Sequence, residues 1–396
     1  MVNWQSETGR AALAECLKAY RAAVADAQRR DAGEVVDTPN QPTAPQRAPT
    51  VPAVKGHTVR DAFDAWCIAK PGRLAKTVKT YSAAADALRT LLPGRTLESL
   101  TREDGRDVVA ALLRNAQAVG GKAQNTAINL LGRFKTLLAQ AVDLEWITKS
   151  PLEGRTIEGI ASDVADWKLG ELATLFHDPL FTGYRLPTAA MAGKDAAYFL
   201  PVLGLFTGAR ISELAQLSTQ DVQDTPAGLV LSIRPDPETG QRVKNHGSVR
   251  LVPVHSELIR LGFADYWRAI KTHGTGPLFP AIARTELNGA GGKPSQWFGK
   301  FKTAKGFGSG KVFHGFRHTL QTQLLRAGAP EPHADALAGH AGHSVGRRVY
   351  THLTPEDVRQ SLELVTFPGV NLPRVFTAPV WTPENHKTAR RRKTAP

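Results

Sequence analysis

Four short stretches of the sequence pair anion-binding or proton-binding side chains with a glycine or a helix start that would expose them. In Thr207-Gly208-Ala209-Arg210-Ile211-Ser212-Glu213-Leu214 a glycine turn between two apolar helical segments delivers Arg210 to a helix N-terminus, where anions bind. Glu213 follows three residues later on the same face, so a helix-start arginine paired to a carboxylate is the plain alternative reading. In Val243-Lys244-Asn245-His246-Gly247 a lysine lies in the loop before an apolar strand, where a merely solvated lysine is ordinary. In His314-Gly315-Phe316-Arg317-His318-Thr319 positions 314, 317 and 318 share a helical face, so two imidazoles and a guanidinium are expected to converge. His314 and His318 also have the i, i+4 spacing of a helical zinc site, but no glutamate follows the first histidine and no third ligand is near in sequence. Finally, Leu337-Ala338-Gly339-His340-Ala341-Gly342-His343 is a glycine-loosened loop presenting histidines, followed by Val349-Tyr350-Thr351-His352-Leu353. Alone, Tyr350 reads as a half-buried amphipathic residue.

Positioning such groups requires a folded scaffold, and the 396-residue length is enough for two or three compact units. The chain carries 50 Lys+Arg against 36 Asp+Glu, a net charge of +14, which points to a phosphate-bearing partner. Residues 1–50 hold six basic and six acidic side chains, so the whole excess lies beyond them; from Val370 onward six basic residues face Glu384 alone. Two cysteines, Cys16 and Cys67, neither in a CxxC pair, exclude a disulfide framework and a cysteine zinc site, and suggest a reducing, cytoplasmic setting. No apolar run reaches membrane-span length, and no signal peptide is expected, so no membrane partner is predicted.

Leu13, Leu17, Tyr20 and Val24 recur at helical spacing, predicting an amphipathic helix over residues 6–31 that needs a partner surface. The Pro-rich run from Thr38 to Pro52 reads as a linker. Four helices are then expected, starting near Thr58, Thr77, Thr101 and Asn125, with Phe63, Trp66, Tyr81, Leu88, Val108, Leu112, Leu131, Phe134 and Leu138 among their apolar positions. Ser150-Pro151 marks a boundary. Beyond it, Trp167 to Phe176 and Asp195 to Phe206 read as helices. Leu229 to Arg234 and Ser248 to Val254 read as strands, the latter alternating Val249, Leu251, then Val252-Pro253-Val254 with Pro253 at an edge or strand end. Helices resume at Ser256, Ser295, His314 and Thr354. The expected fold is mainly α with a small antiparallel β-sheet. Its divisions are an N-terminal helical segment (1–37), a linker (38–56), a helical domain (57–150), an α+β domain (165–368) and a basic tail (369–396), whose run Arg390-Arg391-Arg392-Lys393 is either solvated or phosphate-tracking.

Taken together, TGARISEL, VKNHGSVRLVPVH, HGFRHT and LAGHAGHSVGRRVYTH resemble the tyrosine recombinase (phage integrase) family in order, spacing and local sequence, over about residues 165–365. The block 57–150 resembles that family's core-binding domain in pattern and position. The resemblance implies strand cleavage by a tyrosine attacking phosphorus, which leaves a 3′-phosphotyrosine and a free 5′-hydroxyl, with no metal and no nucleotide cofactor. Arg210 and Arg317 match the family's two arginines, whose planar forks suit bidentate phosphate contacts. Tyr350 matches the nucleophile, His314 the proton acceptor, Lys244 the hairpin lysine that protonates the departing oxygen, and His340 the histidine that hydrogen-bonds the phosphate. Glu213 matches the acidic residue that orients the first arginine. Many members separate the late histidine from the tyrosine by about nine positions, whereas His340 to Tyr350 is ten and His343 to Tyr350 seven; the better local match of Leu337-Ala338-Gly339 keeps His340. His318 and His352 are assigned structural roles.

The function the resemblance implies is site-specific recombination for a phage or mobile element. Its partners would be double-stranded DNA, three further copies in a homo-tetramer, and accessory DNA-bending or directionality proteins, in a bacterial or phage-infected cell. In the family a C-terminal segment passes to a neighbouring protomer, and Ser361 to Phe367 with the tail is the candidate here. Three alternatives stand beside this reading: a DNA-binding relative that has lost catalysis, a metal-dependent nuclease using the histidines, and a type IB topoisomerase-like enzyme.

Overall fold

The structure, a computed structural model, describes residues 7–36, 56–120, 123–159, 165–243, 246–339 and 353–382. Two compact units divide at His57. The first contains helix α1 (Glu7–Asp31), whose Leu13, Leu17, Tyr20 and Val24 stripe is exposed, and whose end is tied by Arg29 to Glu34 at 2.7 Å.

The second unit begins at Thr58 and contains two hydrophobic cores. Four helices build the first: α2 (Val59–Ala69), α3 (Ala75–Leu91), α4 (Arg102–Val119) and α5 (Ala123–Asp143). Thr58 and Thr101 start α2 and α4 through reciprocal capping boxes with Asp61 and Asp104, which satisfy backbone N–H groups that the first helical turn leaves orphaned. The helix expected at Thr77 starts instead at Ala75, because Leu74 already leaves the preceding turn in extended geometry; α5 likewise starts two residues before Asn125. Trp66 stacks on Tyr81 at 4.1 Å and carries the Arg73 guanidinium over its ring, while Phe134, Leu137 and Leu138 fill the centre.

The second core is organised around α8 (Asp195–Thr207), a helix buried on every side, as expected of a segment that is apolar all round. On it or around it pack α6 (Leu169–Phe176), α7 (Pro179–Thr182), α9 (Ile211–Ala215), α10 (Ser256–Arg260), α11 (Phe263–Lys271), α12 (Gly292–Ala304), α13 (Gly315–Arg326), α14 (Glu331–Ala338) and α15 (Pro355–Glu363). Helix α6 starts at Leu169 rather than Trp167. Trp167 stays extended because its backbone N–H donates to Thr319 Oγ1 at 2.8 Å and its indole N–H to the Val312 carbonyl at 3.0 Å, which staples the chain across the start of α13.

One antiparallel sheet, ordered β1-β2-β3, comprises β1 (Val222–Thr225), β2 (Gly228–Ile233) and β3 (Arg250–Pro253). Strand β1 has no counterpart in the expected pattern, since only Val222 of its four residues is buried and a single apolar position carries no period. On β3 the pleat divides the apolar positions between two faces. Val249 and Leu251 are exposed, whereas Val252 and Val254 are buried with Arg250 on the same side, because the register sets Leu231 against Val252 and Ile233 against Arg250.

After α15, residues Val365, Phe367, Leu372 and Phe376 are buried in the second core of their own chain, as are Ser361 and Leu362 before them. Phe376 sits among Tyr184, Phe199 and Tyr266. Further on, the Val380 and Trp381 backbone N–H groups donate to the buried Asp195 carboxylate at 2.9 and 3.1 Å, beside the Tyr184 hydroxyl at 2.7 Å. Of the segment considered for exchange between protomers, the described residues 361–382 are therefore folded back on their own domain in the single chain. Among the described residues no helix is long and apolar enough to cross a membrane.

Candidate active site

The turn from α8 into α9 places Arg210. Gly208 caps α8 in the left-handed region at φ +63°, where a Cβ would strain the backbone and press the Leu320 side chain at 3.0 Å. Arg210 follows as the N-cap of α9. Its own N–H donates to Glu213 Oε2 at 2.9 Å, and its Nη1 donates to Glu213 Oε1 at 2.5 Å and to Ser248 Oγ at 3.3 Å. Glu213 is only 2% exposed. Burial pushes its carboxyl upward, but the adjacent Arg250 charge and hydrogen bonds from Arg250 and Arg210 outweigh this and hold it below the usual carboxylate range.

Arg317 reaches the same turn from beneath. It lies in the first turn of α13 and is 2% exposed, and its Nη1 donates to the Gly208 carbonyl at 3.0 Å. Its Nε and Nη2 have no hydrogen-bond partner among the described residues. Burial, then the like charges of Arg210 and Arg250, push this guanidinium down to about 10, with Glu213 opposing. It remains charged at neutral pH. His314 is the N-cap of α13 and exposed, with its ring 5.0 Å from that of His318 and nearly perpendicular to it. The HGFRH stretch thus divides. The two imidazoles do converge, while Arg317 turns inward toward Gly208. Among the described residues no three His, Cys, Asp or Glu side chains gather as potential metal ligands.

Lys244, His340 and Tyr350 lie outside the described residues, as do His343 and His352. Their neighbours are anchored. The arm that leads to Lys244 is pinned by Gln241 to Asp221 at 2.7 Å and by a reciprocal pair in which Gln216 Nε2 donates to the Arg242 carbonyl and Arg242 N–H to Gln216 Oε1. On the other side, α14 ends at Gly339, again left-handed at φ +59°. After Tyr350 the chain returns at Leu353, packed against the second core, and Thr354 opens α15 through a capping box with Asp357.

One residue of this cluster escapes motif reading. Arg250 on β3 donates from Nη2 to Glu213 Oε2 at 3.0 Å, from Nη1 to the Ser248 carbonyl at 2.8 Å and from Nε to the Leu337 carbonyl at 2.8 Å. The signal that would have found it is the strand period, which places Arg250 with Val252 and Val254 on the buried face, where an unpaired arginine is not tolerated.

The profile of the phage integrase family matches residues 194–357, the stretch that contains all four motifs. Over that stretch the chain is similar to the tyrosine recombinase, or phage integrase, family. A tyrosine recombinase XerC-like protein of Caldanaerobacter subterraneus subsp. tengcongensis is 25% identical over 265 residues, covering 61% of this chain and 66% of the relative. The tyrosine recombinase XerD of Corynebacterium glutamicum is 30% identical over 156 residues, 39% of this chain and 47% of the relative. The matched region therefore spans just under two thirds of the first of these recombinases and about half of the second. In fold, the chain is similar to the Tn1549 transposon integrase solved with circular intermediate DNA, at TM-score 0.52 and 18% identity over 78% of this chain and 99% of that one. It is similar also to the lambda integrase of a tetramer bound to a Holliday junction, at TM-score 0.52 and 16% identity over 76% and 84% of the two chains. The mainly helical architecture with one small antiparallel sheet is accordingly shared with these two integrases.

Proposed function

We propose that this chain is a site-specific DNA recombinase of the integrase type, which breaks and rejoins strands of a phage or mobile element through a 3′-phosphotyrosine. The observation that carries the reading is the pair of guanidinium groups held at one turn. Arg210 is clamped by Glu213 above the Gly208 turn, and Arg317 is bonded to the Gly208 carbonyl below it, with two donors left without protein partners among the described residues. Donors fixed in advance at low dielectric are what a phosphoryl transition state needs when its extra charge collects on the non-bridging oxygens.

In the proposed step the Tyr350 hydroxyl attacks the scissile phosphorus, forming the Tyr–O–P bond as the bond from phosphorus to the 5′-oxygen breaks. An ordinary tyrosine is protonated at neutral pH, so His314, exposed at the start of α13, accepts its proton. Lys244 gives a proton to the departing 5′-oxygen, and His340 hydrogen-bonds the phosphate. Rejoining reverses these transfers, so atoms and protons balance over the cycle. The helical lobe α2–α5 would form the second jaw on the duplex, with the basic excess beyond residue 50 giving salt-dependent affinity. Four protomers on two sites would let four tyrosines act in turn, in keeping with the lambda integrase tetramer bound to a Holliday junction.

The test is incubation with a nicked duplex that carries the junction of the element encoding this chain, followed by a denaturing gel. Wild type is expected to form a covalent protein–DNA adduct and Tyr350→Phe none. An adduct that survives this substitution would show that another residue is the nucleophile.

A further inference from the structure

Arg250 sits in the midst of the cluster yet has every guanidinium nitrogen engaged. Its three nitrogens bond three different parts of the chain: Glu213 on α9, the Ser248 carbonyl just before β3, and the Leu337 carbonyl at the end of α14. Its side chain is 7% exposed. Arg317, by contrast, keeps two nitrogens, Nε and Nη2, without partners among the described residues. A guanidinium with all three nitrogens already bonded to the protein is poorly placed to take a phosphate oxygen as well, so Arg250 differs from the two arginines assigned to phosphate.

The geometry points to Arg250 as a positioning residue that fixes Glu213, and through it Arg210, and that ties the Leu337–Gly339 end of α14 to the same carboxylate. Two observations carry this. Glu213 Oε2 accepts from both Arg250 Nη2 and the Arg210 backbone N–H, so the carboxylate that orients the Arg210 side chain is itself held by Arg250. At the other end, a Cβ on Gly339 would lie 2.9 Å from Arg250 Nη1, so the left-handed turn that precedes His340 is built against this guanidinium. Charge gives the same answer. Glu213 lies between two arginines, so Arg250 offsets the carboxylate and leaves the positive charge of Arg210 for an incoming phosphate. Without Arg250, Glu213 would draw on Arg210 alone. For its catalytic consequence the inference rests on the recombinase reading above.

Arg250→Lys and Arg250→Met test it, the lysine variant keeping a buried charge for Glu213 in case the methionine variant fails to fold. On the nicked phosphodiester duplex, Arg250→Lys is expected to slow adduct formation by about 10- to 100-fold, the range typical of groups that orient a reacting residue. DNA binding should stay near wild type, and thermal melting should fall only modestly, since lysine keeps a charge for Glu213 but cannot replace all three hydrogen bonds. The same duplex with a neutral methylphosphonate at the scissile position removes the charge that Arg210 serves, so the penalty should shrink there alongside that of Arg210→Ala. Equal slowing on both substrates would mean that Arg250 is structural only, and the inference would fall. A crystal structure of Arg250→Lys is read independently of activity. The Arg210–Glu213 pair displaced supports positioning, and the pair unmoved overturns it. Absence of an adduct in the wild type would sink the recombinase reading and leave this structural arm to decide the role of Arg250.

Discussion

Replacing Arg317 by methionine is expected to leave the free protein at least as stable while strongly slowing the proposed strand cleavage. The guanidinium is 2% exposed, and burial, then Arg210 and Arg250, push it down from its usual value to about 10. At about 1.4 kcal/mol for each tenfold change in proton affinity, keeping it charged costs roughly 3 kcal/mol. Two further donors, Nε and Nη2, are buried without partners among the described residues, which is the same penalty seen from the hydrogen-bond side. Against this stands the single bond from Nη1 to the Gly208 carbonyl, about 1.5 to 3 kcal/mol for a charged donor. Methionine matches the aliphatic stem in length and carries no donor. The net change is a gain of about 0 to 2 kcal/mol, which for a unit of this size is a rise of a few degrees, at about 2 to 4 °C per kcal/mol. Adduct formation should fall by about 10² to 10³ or more, the loss expected when one preorganised oxyanion donor is removed. Thermal melting without DNA, anisotropy with labelled duplex and the denaturing gel together separate the terms. A melting point lowered by many degrees would show that Arg317 chiefly supports the fold, and the argument that its donors are held open for phosphate would fail.

Two other groups give sharp expectations. His255 is buried at the N-cap of α10, where Nδ1 accepts from the Glu257 N–H at 2.9 Å, which leaves Nε2–H to donate to the Val365 carbonyl at 3.3 Å. Burial holds its pKa below the usual value despite nearby Glu363, so the unfolded chain binds the proton more tightly. This stability is therefore fully present above about pH 6.5 and lost as the pH falls below it. Melting followed from pH 8 to pH 5 should show the decline, and His255→Asn, which can still cap, should flatten it; an unchanged slope in that variant would assign the decline to other groups. Asp195 clasps the C-terminal segment through the Val380 and Trp381 N–H groups and the Tyr184 hydroxyl. Asp195→Ala strands these donors at about 1 to 3 kcal/mol for each that stays buried, and limited proteolysis should then cut the chain beyond Phe376 faster than in wild type. Equal cutting rates would show that the aromatic packing of Phe376 holds the segment by itself.

The parts of this fold that were legible in sequence are those with local causes. Thr58, Thr101 and Thr354 start helices because a hydroxyl and a carboxylate three residues on satisfy backbone donors within the same turn. The Gly208 turn delivers Arg210 for an equally local reason, a left-handed cap that glycine adopts without strain. What was not legible depends on partners far along the chain. Trp167 leaves the helix it was assigned to because Val312 and Thr319 take its N–H groups. Arg317 departs from its neighbouring histidines because the Gly208 carbonyl, more than a hundred positions earlier, accepts from it. Arg250 reads as a solvent-facing strand residue if Val249 and Leu251 are taken as the inner face, and only the pairing of β3 with β2 shows that the opposite face is covered.

The three arginines around Glu213 show how the fold divides stability from chemistry. Arg250 has each of its three nitrogens bonded to the protein and offsets the buried carboxylate, so it belongs to the scaffold in its own contacts. Arg317 is the converse, a buried cation near two others, with one protein acceptor and two bare donors among the described residues. Such a group destabilises the free protein, and it persists because the surrounding core over-determines the turn: α8 is buried along its whole length and α13 packs on it. Arg210 lies between these extremes, one nitrogen held by Glu213 and the side chain 22% exposed. A phosphate arriving here would relieve the repulsion that Arg317 feels and would satisfy donors already aimed, without waiting for side chains to reorganise. On this view the cationic stress at this turn is what makes the charge gained in a phosphoryl transition state favourable, and Arg250, with each nitrogen bonded to the protein, is what keeps that stress directed there.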